Sequence, residues 1–309
     1  MIMKRIIVVA LVNFSLLWGQ AVPTDQIIYP TAEVLAANHL NAQGGYVNLV
    51  GREGWRPALR FGIGGHVEFE WTRLGFYSDL VGTRRTIPTA GVKLRLPTPF
   101  KSFHMAASLY NAQQWDYHPS SVYADGVRNL SYDENYGSLK DRYGVILNQV
   151  DFESIYSRFD VLASWEVVEG FRLHSAVYML EAKSRNLNVV WTEKDSVFQY
   201  DSYSDSKQRK NQLVGFGLGL NYAIDSHLTY LVQWVIQPQY HFDFGAKRLT
   251  LEPRHVWIVG ARYRIFNVLL VDFGVFNDEF EGTLSDVQVY SMLNLLWDVT
   301  QIKGWFEHK

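Results

Sequence analysis

The sequence contains no cysteine, and this absence removes whole classes of structure and chemistry. Without thiols there are no disulfides, no thiolate zinc sites and no cysteine nucleophiles. A chain without thiols also suits export through an oxidising compartment, where free cysteines would pair wrongly. The formal net charge is only −2, so the chain lacks the basic surplus that binding to nucleic acid requires.

A second absence is that of long apolar runs. A transmembrane helix needs about 20 consecutive apolar residues, and the mean hydropathy of −0.10 is too low for a helical membrane protein. The apolar stretch 6–18 follows Lys4 and Arg5 and precedes a small-residue site that ends at Ala21. This pattern predicts a secretory signal peptide over residues 1–21, cleaved near Ala21. The alternative is an uncleaved N-terminal membrane anchor.

The chain is instead rich in aromatic residues, with 18 Tyr, 18 Phe and 10 Trp. Many of them lie where apolar and polar residues alternate, which is the pattern of β-strands. Residues 58–73 show this most clearly, because Gly64-Gly65 separates two alternating halves and so predicts a β-hairpin. One face of this hairpin is apolar, and the other carries Arg60, Glu68 and Glu70.

Similar alternating segments follow one another along most of the chain, each near the length of a tilted membrane strand, roughly 9–11 residues. We place about twelve of them, at residues 43–51, 56–64, 65–74, 87–97, 102–111, 154–167, 171–182, 211–223, 226–238, 253–265, 267–277 and 285–298.

The connections between these segments alternate in length. The short connections are residues 64–65, 97–101, 168–170, 224–226 and 265–267. The long ones are residues 75–86, 112–153, 182–210, 239–252 and 278–284. Short periplasmic turns and long extracellular loops are typical of outer-membrane β-barrels, and the alternation places both chain ends on the periplasmic side.

The two faces of the segments differ in the same way throughout. One face is apolar and nearly uncharged, as contact with lipid requires, and the other collects the charges. We predict that this second face lines a lumen. The predicted lumen residues are Arg60, Glu68, Glu70, Lys93, Arg95, Arg158, Asp160, Arg172, Arg262, Arg264 and Asp272. In a soluble β-sandwich these residues would be ordinary surface, so the signal peptide, the connections and the strand number favour the barrel.

From Gly44 to Trp297 the chain resembles a bacterial outer-membrane β-barrel of about twelve strands. Its last segment, Val287–Trp297, is similar to the C-terminal insertion signal of that class, although residues 298–309 follow it here. We therefore expect an all-β fold, a transmembrane antiparallel up-and-down β-barrel. The expected organisation is a signal peptide at 1–21, a weakly structured periplasmic lead-in at 22–42, the barrel at 43–298 and a periplasmic tail at 299–309.

One local resemblance is narrower. The stretches YPTAEVL (Tyr29–Leu35) and RFGIGGHVEFEW (Arg60–Trp71) resemble the opening of barrels linked to exopolysaccharide and cell-envelope export. In those proteins a Pro-Thr-Ala motif enters the first strands. The resemblance implies a structural or assembly role beside an envelope-protein partner.

Three functions are compatible with these observations. The first is a passive channel or narrow porin for small polar solutes, with anions preferred because inward cations outnumber inward acids. The second is the structural or assembly barrel. The third is a membrane hydrolase, whose candidate residues are His104, Ser108, His174, His227 and Asn221. We expect no enzymatic activity, because the chain has no Gly-x-Ser-x-Gly or other nucleophile motif.

We expect no cofactor and no metal site. The expected partners are outer-membrane lipid or lipopolysaccharide, small polar solutes and an envelope protein, and the expected location is the outer membrane. The sequence leaves open whether the lumen is empty, and whether the long connection 112–153 folds into it. Gly215, Gly217 and Gly219 remove side chains from one inner strip, which either relieves curvature or leaves room for something in the lumen.

Overall fold

The computed structural model describes residues 31–49, 52–55, 58–72, 85–86, 89–115, 122–123, 127–129, 145–193, 200–243, 246–266, 268–278 and 288–299. Most of these residues lie in β-strands. The strand segments are β1 His39–Leu49, β2 Arg52–Trp55, β3 Ala58–Ile63, β4 Val67–Thr72, β5 Arg85–Thr86, β6 Thr89–Leu96, β7 Phe103–Trp115, β8 Val122–Tyr123, β9 Val127–Asn129, β10 Val145–Val168, β11 Phe171–Glu193, β12 Tyr200–Asp205, β13 Arg209–Ala223, β14 Leu228–Asp243, β15 Arg248–Phe266, β16 Leu269–Asp278 and β17 Gln288–Asp298.

These segments form twelve barrel strands. β2 continues into β3, β5 into β6 and β12 into β13, because both members of each pair lie along the same neighbouring strand. β8 and β9 belong to the long connection between β7 and β10. The last strand, β17, pairs antiparallel with β1 and closes the sheet. The predicted closed antiparallel barrel of about twelve strands is confirmed.

Tight turns join the strands at one end of the barrel, where the sequence predicts them, at residues 64–66, 97–102, 169–170 and 224–227. Gly64 and Gly65 adopt φ angles of 60° and 71°, which a two-residue hairpin turn requires. In another turn, the Asp225 carboxylate accepts hydrogen bonds from the backbone amides of His227 and Leu228, at 2.6 and 2.8 Å. These two bonds lower the pKa of Asp225 from its ordinary value, because they stabilise the charged form.

Large apolar side chains cover the outside of the wall. Leu59, Phe69, Trp165, Trp257 and Val259 are each between 42% and 55% exposed. A soluble protein rarely exposes so continuous an apolar surface, whereas a membrane barrel must present one to lipid. No helix in the ranges described above is long and apolar enough to cross a membrane.

The apolar band gives way to polar side chains on four neighbouring strands. Its upper row of outward side chains, which lie directly beside one another, is formed by Leu109, Phe159, Met179 and Val214, and Ile155 of β10, 47% exposed, lies above this row. The next outward side chains on the same strands are polar, namely Asn111, Ser157, Glu181 and Gln212. Because about 9–11 residues suffice to span a bilayer, β10 with 24 residues and β11 with 23 extend well beyond the band.

The wall is interrupted between β13 and β14. The two strands pair from Ala223 and Thr229 as far as Gly217 and Val235. Beyond that point β13 stays paired with β11, and β14 stays paired with β15, but in the described part of the chain they no longer pair with each other. We call this separation, between residues 209–216 of β13 and 236–243 of β14, the notch.

The segment before β1 lies inside the barrel. Ala32 is completely buried, in a cluster with inward side chains from β7, β10, β11, β14, β15 and β17. Leu35 packs in a second cluster, with Leu270 of β16 and Leu296 of β17. The chain then turns at Asn38, which has a φ of 62° and whose amide donates to the carbonyl of Gly62 at 3.0 Å.

This position differs from the expectation of a weakly structured periplasmic lead-in at 22–42, of which residues 22–30 lie outside the described ranges. The barrel does not start at residue 43, because the first strand begins at His39. The segment before it enters the lumen, where Thr31, Ala32 and Leu35 are buried, whereas residues 36–38 are exposed. Gly62 explains how the segment fits, because a Cβ there would lie 2.4 Å from the carbonyl oxygen of Ala36 and 2.6 Å from that of Leu35. We call residues 31–38 the lumen segment.

Replacing Gly62 by alanine should destabilise the protein by about 1–3 kcal/mol, because the new methyl group meets backbone atoms that have no room to retreat. Urea unfolding in detergent micelles measures the change. Gly44→Ala is the matched control, since a Cβ on this other strand glycine meets nothing within 4 Å. Equal stability of the two variants would show that the lumen segment does not press against β3.

Candidate functional site

The interior of the barrel contains ion pairs set directly across neighbouring strands. Arg60 on β3 lies opposite Glu70 on β4, and its Nε donates to Glu70 at 2.9 Å. Glu68 lies opposite Lys93 on β6, with Nζ 3.0 Å from the carboxylate. The strand register therefore places opposite charges side by side, which is how a buried charge is tolerated.

The same arrangement recurs on the far wall. Arg262 on β15 lies opposite Asp272 on β16, and its guanidinium donates two hydrogen bonds to that carboxylate, at 2.6 and 2.7 Å. Asn294 on β17 donates a third, at 3.2 Å. Asp272 is completely buried, so three donors compensate for its lost hydration.

A fourth pair lies within one strand. Arg158 and Asp160 are two residues apart on β10, face inward together and form a salt bridge. Ser108 on β7 donates a hydrogen bond to Asp160 at 2.8 Å, and the Arg158 guanidinium stacks over the ring of Tyr178 at 4.0 Å. Arg158 is 1% exposed, so this pair fills the middle of the lumen rather than lining an open path.

Eight predicted lumen residues are thus brought together in the interior. They are Arg60, Glu68, Glu70, Lys93, Arg158, Asp160, Arg262 and Asp272. The other three predicted residues, Arg95, Arg172 and Arg264, lie near the turns and are less buried. There Arg172 pairs with Glu166 at 3.0 Å, and Arg95 lies 3.0 Å from Nδ1 of His104. The turn-side mouth is therefore the more cationic part of the barrel.

Few polar contacts hold the lumen segment. The amide of Leu35 donates to the Glu68 carboxylate at 3.0 Å, and the same carboxylate binds Lys93. The amide of Ala32 donates to the hydroxyl of Ser164 on β10 at 3.1 Å. Because these acceptors are inward side chains, the segment is docked on the wall without being paired into the sheet.

Ser164 also belongs to a small polar cluster. Its hydroxyl donates to Glu33 of the lumen segment at 3.0 Å and lies 2.8 Å from Nδ1 of His174. A hydrolytic triad needs the serine at one imidazole nitrogen and the acid at the other. Here Glu33 is 3.9 Å from the same Nδ1, and Ser164 is buried beneath Ala32. The cluster therefore anchors the lumen segment and lacks the geometry of a proton relay.

The residues considered for hydrolysis are not assembled into a site. His104 and Ser108 lie on β7, His174 on β11, Asn221 on β13 and His227 in a turn. His104 contacts Arg95, and Ser108 is engaged with Asp160. The described ranges also contain no group of three or more His, Asp or Glu side chains arranged to hold a metal ion.

The loop-side end of the lumen is narrowed by β14. Beyond Val235 this strand leaves β13, and Tyr240 packs against Phe152 of β10 with ring centroids 4.8 Å apart. The Tyr240 hydroxyl also bonds to Ser154. The ring of Phe242 lies beside that of Trp191 of β11, with ring centroids 6.4 Å apart. Since Phe152 and Trp191 face inward, the upper part of β14 lies across the mouth.

The inner glycine strip has a packing role at one position. A Cβ on Gly215 would lie 2.2 Å from the ring of Tyr178, which occupies that space. Tyr178 also donates its hydroxyl hydrogen to the carbonyl of Ile236, on the far side of the notch. The missing side chain at Gly215 therefore makes room for a large side chain of the lumen.

Comparison with known proteins gives fold relatives only. No family model and no curated protein matches the sequence. Among solved structures, the NanC porin is 8% identical over 83% of this chain and 98% of its own, with a TM-score of 0.42. The translocator domain of autotransporter NalP from Neisseria meningitidis is 9% identical over 84% and 86%, with a TM-score of 0.38. OmpT of Vibrio cholerae is 9% identical over 78% and 64%, with a TM-score of 0.37.

The architecture is that of an outer-membrane β-barrel. Its closed wall, its outward apolar band and its polar interior are properties of this chain itself. The likeness concerns the fold alone.

Three contributors to the closed lumen were not singled out from the sequence. Ala32 and Leu35 carry no periodic signal, although the Pro-Thr-Ala motif marks their neighbourhood. Tyr240 lies within a segment that was assigned to a loop, because the strand was expected to end at residue 238. Their positions depend on inward-facing side chains that are distant from them in the sequence.

Truncating Asp272 to alanine should lower the free energy of unfolding by about 3–5 kcal/mol, because Arg262 would be left buried without a counter-charge. Glu166→Ala provides the control. It removes a similar ion pair, with Arg172, whose members are about one-third exposed, so its cost should stay below about 1 kcal/mol. Equal losses in urea unfolding would mean that the interior is hydrated.

Proposed function

We propose that this protein is an outer-membrane channel that is held closed at rest by its own lumen segment. The observation that supports this most is the complete burial of Ala32 among inward side chains from six strands. A separate chain segment fills that space, docked through the amides of Ala32 and Leu35 rather than through strand pairing. Such a segment can leave without breaking the wall.

The cargo that this arrangement favours is a small polar solute. The buried interior balances four cations against four acids, so it gives no strong preference of charge. The turn-side mouth adds Arg95, Arg172 and Arg264 against Glu166 and Asp298 on the wall, and Glu33 there belongs to the lumen segment. Anion preference, if the channel opens, would therefore arise at this mouth.

The second candidate is a structural or assembly barrel of the cell envelope. The same interior also supports this candidate, because buried ion pairs and aromatic rings occupy part of the lumen beside the lumen segment. The inward position of Thr31 and Ala32 also fits the Pro-Thr-Ala resemblance, in which the motif enters the first strands. An envelope-protein partner would then bind the outer parts of the barrel.

Conductance in planar lipid bilayers separates the two candidates. Ala32→Asp places an unpaired carboxylate at a fully buried position, so the lumen segment should be expelled. We expect discrete current steps from this variant and only rare openings from the wild type. Ala37→Asp is the control, because Ala37 is exposed and the charge there remains solvated. An electrically silent but folded Ala32→Asp variant would favour the structural barrel.

Charge reversal at the mouth tests the anion preference. In the Ala32→Asp background, Arg95→Glu combined with Arg172→Glu should move the reversal potential in a salt gradient towards cation selectivity. Lys207→Glu, on an exposed residue at the other end of the barrel, should leave it unchanged. A reversal potential that does not respond to the mouth residues would place the selective region elsewhere.

A further inference from the structure

The notch reaches below the upper edge of the apolar band. That edge passes through Val214 on β13, whereas pairing with β14 already ends at Gly217. In the described part of the chain, residues 214–216 therefore have no strand paired along this edge, at the depth of the outer leaflet. Val214 is 68% exposed, the largest value among the large hydrophobic side chains in the described ranges, since no neighbouring strand covers it.

An open strand edge at this depth needs a partner. Backbone N–H and C=O groups cannot face hydrocarbon unpaired, so an interrupted wall must be covered by protein or by a polar ligand. On the β14 side, the Tyr178 hydroxyl satisfies the carbonyl of Ile236, and β8 pairs with Tyr240 and His241. On the β13 side, no strand in the described part of the chain pairs with residues 209–216 along this edge.

The base of the notch is aromatic. Trp234 meets Phe216 edge to face, with ring centroids 4.9 Å apart, and stacks on Trp257 at 5.7 Å. Trp257 is half exposed on the lipid-facing surface. Tryptophan is enriched at membrane interfaces, because its ring can contact acyl chains while its N–H reaches the headgroups.

The chemistry of the β13 edge changes in order along its length. The apolar side chains of Phe216 and Val214 come first, and Gln212 follows. Asn211 alternates with these residues, so its side chain faces the lumen and takes no part in this outer surface. Above it, Lys210 lies directly beside Lys183 of β11, and both ammonium groups contact Glu181, at 2.7 and 3.5 Å.

This order matches that of a phosphorylated membrane lipid, which has an acyl chain, then polar linkages, then a phosphate. Lys210 and Lys183 are about half exposed and share one acid, so together they carry a net positive charge towards the headgroup region. Lysines just above an apolar surface attract phosphate electrostatically. The outward side chain of Gln212 lies at the level of the linkages.

We propose that the notch binds a phosphorylated lipid of the outer leaflet. Its acyl chain lies along Val214 and Phe216, and its phosphate binds Lys210 and Lys183. The bound lipid covers the edge that β14 leaves open when it bends across the mouth. This site does not depend on whether the lumen conducts.

The first experiment tests the separation itself, using the absence of native cysteine. Leu220 and Val232 lie opposite each other where β13 and β14 are paired. Replacing both by cysteine should therefore give a disulfide on oxidation. Val214→Cys with Pro238→Cys continues the same register into the notch and should not. Equal cross-linking of both pairs would show that the notch closes, and the proposal would fail.

The second experiment identifies the ligand. The wild-type protein in phosphatidylcholine vesicles receives a small fraction of phosphatidic acid with a photoreactive diazirine on its acyl chain, and cross-linked peptides are located by mass spectrometry. Cross-links should concentrate on Val214 and Phe216, above their frequency at Leu109 and Phe159 on the same level of the band. Diacylglycerol with the same chain should label the notch less.

Charge variants test the phosphate contact. Lys183→Gln combined with Lys210→Gln should reduce labelling of the notch by phosphatidic acid about two- to fivefold, the effect of losing exposed ion pairs. Lys101→Gln, in a turn at the opposite end, should have no effect. Uniform labelling around the band, or labelling that ignores the phosphate or the two lysines, would overturn the proposal.

Discussion

The pairing of β17 with β1 is the constraint on which the rest of this structure depends. In lipid, every backbone polar group must find a partner, and a sheet can meet that demand only by closing on itself. Closure fixes an inside and an outside, so the alternation of each strand becomes an apolar coat and a charged interior. The charges then have no bulk water around them, and each must find a counter-charge or a donor within reach.

Strand register meets that second demand. Arg60 faces Glu70, Glu68 faces Lys93, and Arg262 faces Asp272 across adjacent strands, because each pair occupies opposite positions on neighbouring hairpin arms. Pairs of this kind are fixed wherever a hairpin turn fixes the register. The lumen segment then uses the charges already in place, since Glu68 binds both Lys93 and the amide of Leu35. The docking of the lumen segment is thus secondary to the ion pairs.

The same reasoning explains what the sequence could and could not predict. The inward position of Asp160 or Arg262 follows from a period of two residues, which is local and readable. The burial of Ala32 depends on Ser164, 132 residues away, and on the space that Gly62 leaves. The departure of β14 is equally non-local, because its alternating pattern continues while Tyr240 turns towards Phe152 of a distant strand. Periodicity describes one strand and its faces, whereas these features depend on contacts between distant strands.

The contacts of the lumen segment also determine which part of this molecule can move. The two amide hydrogen bonds and the bond from Ser164 to Glu33 contribute about 0.5–1.5 kcal/mol each, and the burial of Leu35 contributes about 1.5–3 kcal/mol. A balance of a few kcal/mol corresponds to a minor state populated at roughly 0.1–10%. The wall offers no comparable freedom, because opening a strand pair would expose several backbone groups to lipid at once. Motion in this barrel therefore concentrates in the lumen segment and at the notch, where the pairing already ends.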